Sequence, residues 1–177
     1  PEKCEGCKAC FIQCPVDEDG SPILHRAPKT WADAASDGER WRWMLNRARE
    51  IDPNQANAVQ FELANFFNQQ FDVQTMAQYG YLFAGGNDDD TKKDESGPFA
   101  VQTLGEQETI ARLATGVKRF KLPDEFNFIR LYQQIADNGK AGYGENAVNK
   151  LAEIFENRRQ YDRAVEFWNR SIKEYGA

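Results

Sequence analysis

The sequence predicts an all-α fold of antiparallel helix hairpins, preceded by an irregular cysteine-rich loop. Three observations lead to that prediction. Apolar residues recur at three- and four-residue spacing through most of the chain after Thr30, which is the period of one helix face. Pro53 and the group Gly139, Gly142 and Gly144 fall between periodic segments, where helices stop and restart. With 41% hydrophobic and 28% charged residues, 177 positions suffice for a core without covalent staples. No apolar run approaches the length of a membrane span.

In chain order, residues 1–30 form a cysteine-rich loop and an extended connector, and residues 31–177 a helical-repeat domain. The connector, "VDEDGSPILHRAPKT", is rich in Pro, Gly and Asp. A first helix is predicted in "TWADAASDGERWRWMLNRAREID", with Trp41, Leu45 and Ala48 on its apolar face and Pro53 ending it. Pro53 also suits the opening turn of the next helix, which repeats Val59, Leu63, Phe66, Phe67 and Phe71. "DVQTMAQYGYLF" predicts a third helix. Residues 85–98 have no hydrophobic side chain and predict a mobile acidic loop, in which Asp88, Asp89 and Asp90 read as a solvated run.

Helix is predicted again in "TLGEQETIARLATGVKRF", where Thr103 and Glu106 have capping-box spacing. It resumes in "LPDEFNFIRLYQQIAD", with Phe128, Leu131, Tyr132 and Ile135 on one face. The last pair lies in "NAVNKLAEIFENRRQYDRAVEFWNRSIKEYG". Leu151, Ala152 and Phe155 share one helix; Ala164, Trp168 and Ser171 share the next. This alternation of small and large residues resembles a tetratricopeptide repeat unit. The resemblance implies close helix contact at Ala152 and Ala164, with Phe155 and Trp168 filling beside them. One unit cannot bury its own apolar face, so it needs helical neighbours.

All four cysteines, Cys4, Cys7, Cys10 and Cys14, lie in "PEKCEGCKACFIQCP". The C-x2-C-x2-C-x3-C-P spacing resembles the 4Fe-4S loop of bacterial ferredoxins, and implies one such cluster as cofactor. Cluster iron takes thiolates, and small Gly6 and Ala9 let the backbone wrap closely. The second copy of the motif that completes each site in two-cluster ferredoxins is missing, so Cys14 would have to fold back or a partner supply the fourth ligand. One zinc on four thiolates, and free thiols or local disulfides, are the other readings. Disulfides here would close only small loops, which stabilise little.

Other chemistries find less support. An EF-hand loop through Asp17 and Asp19 would start at Pro15 and end at Arg26, neither a usable ligand. His25 is the only histidine and reads as a solvated connector residue. Nothing singles out a carboxylate pair around Glu106 and Glu108, and "FAGGND" lacks the lysine of a phosphate loop. A net charge of −6 disfavours nucleic acid.

The segments "PVDEDGSP", "SDGERWRW", "VQTMAQYG", "ETIARLATGVKRFKLPDEFNFI" and "IFENRRQYDRAVEFW" resemble part of the large bacterial proteins of the alpha-2-macroglobulin family. That resemblance implies a helical, tetratricopeptide-like region preceding macroglobulin β-domains in an exported protein associated with peptidase inhibition. The family's thioester motif, C-G-E-Q, meets "LGEQ" here: Leu104 replaces the cysteine, so no thioester can form. A chain opening at Pro1 is expected to be a fragment or a processed product.

The expectation is therefore a non-catalytic scaffold whose partners are other domains of the same long chain or another protein. No nucleic acid and no membrane insertion are expected. The alternative is an electron-transfer protein with its cluster on Cys4, Cys7, Cys10 and Cys14. The family resemblance places the protein outside the cytoplasm; a cluster would place it inside.

Overall fold

The computed structural model describes residues 26–73, 100–113, 116–138 and 142–176. The cysteine loop, His25, the predicted third helix and the acidic loop 85–98 lie outside the described residues. Among those described, the chain is mostly helical, with five α-helices, several single 3-10 turns and one two-stranded hairpin.

α1 spans Asp37–Ile51 and starts where its capping chemistry allows. Ser36 Oγ accepts from the Glu39 amide at 3.2 Å, while the Glu39 carboxylate reaches back to the Ala35 amide at 2.6 Å. Asp52 caps the following turn, accepting from the Asn54 amide at 3.0 Å, and Pro53 opens that turn. α2 then runs from Ala56 to Phe71. The expected face of α1 is only half covered: Trp41 meets Phe66 at 5.1 Å, but Ala48 is exposed. Glu39 and Arg42 are the residues α1 buries.

The described part of the segment from Thr103 to Phe120 contains no α-helix. It forms β1, Glu108–Leu113, paired antiparallel with β2, Gly116–Lys121, so that Thr109 faces Phe120. Thr103 and Glu106 make no capping box: Thr103 Oγ1 donates to the Ala100 carbonyl at 2.9 Å, and Glu106 accepts from Arg163 and Gln133. The physical reason is local. Thr109, Ile110, Thr115 and Val117 are β-branched, and Gly105 and Gly116 weaken any helix through them. Period-two burial at Phe120 and Leu122 then presses the hairpin on α2, with Thr109 donating to the Phe71 carbonyl.

Asn127 caps α3, Phe128–Asp137, accepting from the Arg130 amide at 3.1 Å. α4, Gly144–Asn157, follows Tyr143, whose positive φ of 63° turns the chain into the helix. α4 ends in a Schellman turn. Gln160 N bonds the Phe155 carbonyl at 2.8 Å and Arg159 N the Glu156 carbonyl at 2.9 Å. Arg159, at φ 56°, occupies the left-handed position usually left to glycine. α5 is Tyr161–Tyr175, closed by Gly176 at φ 74°.

Packing follows chain order: each helix lies chiefly against the one before and the one after. Phe67 and Phe126 bring α2 onto the turn before α3, while Phe128, Ile129, Tyr132 and Ile135 make α3 the centre of the core. Tyr132 packs its ring edge-on to Phe61 and donates its hydroxyl to Asn65 Oδ1 at 2.7 Å, so its polar tip stays satisfied. α4 and α5 form an antiparallel hairpin. Ala152 and Ala164 are buried as expected, and Ser171 donates to Asn149 Oδ1 at 2.6 Å. Trp168 does not fill beside Phe155. Phe167 does, its ring stacked on Phe155 at 5.5 Å, while Trp168 faces outward. One residue is a 100° rotation on a helix, which separates the two roles.

Two substitutions test the hairpin by urea denaturation. Phe155→Ala is expected to lose about 3–5 kcal/mol through transfer and cavity terms. Ala152→Leu is expected to lose about 1–3 kcal/mol by overpacking a fully buried site.

Candidate interaction surface

A buried ion pair, Arg158 with Asp72, lies inside the fold. Arg158, in the turn between α4 and α5, is 0% exposed. Its Nη1 donates to the Gly105 carbonyl at 3.2 Å, and its guanidinium lies 5.5 Å from the Phe128 ring centre. Its Nε stands 3.5 Å from Asp72 Oδ1, an ion contact rather than a well-formed hydrogen bond. Nε and Nη2 have no hydrogen-bond partner among the described residues.

Asp72 ends α2 and is nearly as enclosed. Asn157 donates to its Oδ2 at 3.4 Å and to the Val73 carbonyl at 2.8 Å. Burial pushes the Asp72 carboxyl above its ordinary value, with Arg158 opposing the rise. Burial likewise lowers the Arg158 guanidinium, with Asp72 opposing the fall. A perturbed pair can mark a reactive site; here Glu106 and Glu108 add their charges to that of Asp72 in favouring the charged guanidinium. The pair joins four chain segments, and its chemistry is that of a structural clasp.

Of the residues singled out from sequence, Cys4, Cys7, Cys10, Cys14 and His25 lie outside the described residues. Among the described residues, no group of three or more His, Cys, Asp or Glu could hold a metal ion. None of the described helices is long and apolar enough to cross a membrane. Glu106 has a structural place: it accepts from Arg163, whose guanidinium lies 4.5 Å from the Phe155 ring centre.

The outer surface of α5 is the feature that sequence reading passed over. Tyr161, Val165, Trp168 and Ile172 are 60%, 54%, 37% and 58% exposed, and together make one apolar line at i, i+4, i+7 and i+11. Their spacing is legible as a second apolar stripe on the helix, about 80° around the wheel from Ala164 and Ser171. Burial of the Ala164–Ser171 face against α4 leaves this second stripe uncovered by the described residues. A further exposed cluster lies at α1, where Trp31 meets Trp43 edge-on at 5.8 Å and Arg40 lies 5.9 Å from the Trp31 ring centre.

Comparison with protein-family models, with curated proteins and with solved structures returned no match to this chain.

Two measurements test these assignments. Because the folded-state pKa of Asp72 lies above its ordinary 3.8, its contribution to stability is present below that value and is lost as pH rises through the folded-state pKa. Asp72→Asn should therefore remove this component from the stability–pH curve, so that the wild-type advantage over the variant shrinks as pH rises. Trp168→Ser, by contrast, should shift stability by no more than about 0.5 kcal/mol, as for a surface position.

Proposed function

We propose that the chain is a non-catalytic helical scaffold: a tetratricopeptide-like stack of hairpins within a larger alpha-2-macroglobulin-like protein, holding neighbouring domains or a protein partner. The observation that supports this most directly is the uncovered apolar line on α5. An apolar stripe beside a packed hairpin is what a repeat array offers to its next neighbour. Chain-order packing of α1 to α5 supports the same reading, since repeat arrays bury their core between successive elements. The buried Asp72–Arg158 pair ties segments far apart in the chain, as a scaffold's packing requires.

A second reading keeps a specific observation in its favour. The spacing of Cys4, Cys7, Cys10 and Cys14 fits a 4Fe-4S loop, in which the helices would serve as a docking body for electron transfer.

One experiment separates the two. Anaerobic reconstitution with iron and sulfide is expected to leave the protein colourless and iron-free. Replacement of all four cysteines by serine should leave the helical circular dichroism and the unfolding midpoint unchanged. Stoichiometric iron and sulfide with a broad brown absorbance would move the function to electron transfer. Collapse of the helical signal in the four-serine variant would overturn the scaffold reading.

A further inference from the structure

We infer that the α5 line docks an amphipathic helix with Lys or Arg along the edges of its apolar face. The inference rests on the scaffold reading and names the partner's chemistry. Tyr161, Val165, Trp168 and Ile172 lie along one generatrix of the helix and cover about 17 Å at the usual rise per residue. A straight apolar ridge of that length matches roughly three turns of a second helix, whose side chains can seat between these four.

The charge beside the line selects the partner. One position on from each stripe residue come Asp162, Glu166, Asn169 and Lys173, all exposed. Asp162 has no ion pair among the described residues, and Glu166 has only a 3.7 Å contact with Arg163. The edge is acidic along its first two turns. A second copy would pair Asp162 with Lys173 only across antiparallel helices, and it would have to bring together two chains that each carry a net charge of −6. A basic-edged helix meets apolar residues with apolar residues and carboxylates with cations.

The test uses the full chain and two synthetic helices of about four turns: a leucine–lysine amphipathic peptide and its leucine–glutamate counterpart. Isothermal titration calorimetry should show the lysine peptide binding at least about tenfold tighter than the glutamate one, with affinity falling as salt rises. Trp168→Ser with Ile172→Ser, which changes no charge, should weaken binding by about tenfold or more. Asp162→Asn with Glu166→Gln should weaken it less and flatten the salt dependence. Methyl chemical-shift changes in the wild-type protein should centre on Val165 and Ile172, a readout that does not depend on any variant folding.

Equal binding of the two peptides, or shifts centred elsewhere, would overturn the inference. So would a dimer in sedimentation velocity that Trp168→Ser dissolves, since the occupant would then be a second copy. None of these outcomes touches the scaffold reading, which stands or falls on the helical signal of the cysteine-free protein.

Discussion

A guanidinium with no access to water has to be compensated from several directions at once, or the fold around it fails. Arg158 meets that constraint by drawing together Asp72 at the end of α2, the Gly105 carbonyl ahead of β1, and the Phe128 ring at the start of α3. None of these neighbours is close in sequence. The turn that carries Arg158 is itself held in place, because Gln160 donates to the Leu104 carbonyl at 2.7 Å and to the Gln102 carbonyl at 3.2 Å. The α4–α5 hairpin, the β-hairpin and the end of α2 are thereby tied at one point. The clasp is not an efficient source of stability, since burial works against both charges. Its value lies in geometry: few other arrangements of these segments leave the charge paired.

With that junction set, the remaining helices have little freedom. α3 enters just after Phe126 and Phe128 are seated, and its apolar face is enclosed between α2 and α4. α4 is covered by α3 on one side and by α5 on the other. α1 and α5 stand at the two ends, each with only one close helical neighbour among the described residues. Both keep large apolar side chains in solvent: Trp31, Met44 and Ile51 at or near α1, and the four-residue line on α5. A helix with one neighbour keeps more of its surface in solvent than a helix with two. The exposed residues therefore fall where this packing order leaves uncovered surface, which is why α5 is the natural place to look for a partner.

Helical periodicity was readable wherever one face of a segment alone meets the core. Val59 and Phe67 on α2, Phe128, Tyr132 and Ile135 on α3, and Ala152, Phe155 and Ala164 in the last hairpin are buried as their spacing predicts. Ser36 and Asn127 were unremarkable as letters, yet each starts a helix by accepting a backbone amide. The spacing of Thr103 and Glu106 mimics a helix start, yet the segment that follows forms the β-hairpin. The β-branched residues around two glycines were the better signal. The tetratricopeptide resemblance implies an inward Trp168, but Phe167 is the residue whose direction points at Phe155.

By itself, the sequence determined a helix-dominated chain, the positions of most of its apolar faces, and the confinement of all cysteine chemistry to Cys4, Cys7, Cys10 and Cys14. These are properties of spacing and composition, which act locally. Only the tertiary structure decided that Arg158 is buried, that Asp72 is its partner from the far end of α2, and which of the two apolar stripes on α5 is covered. Each depends on contacts between residues far apart in the chain, or on which face of a helix a neighbour occupies. A periodic pattern marks a face as apolar; it does not say whether anything lies against it.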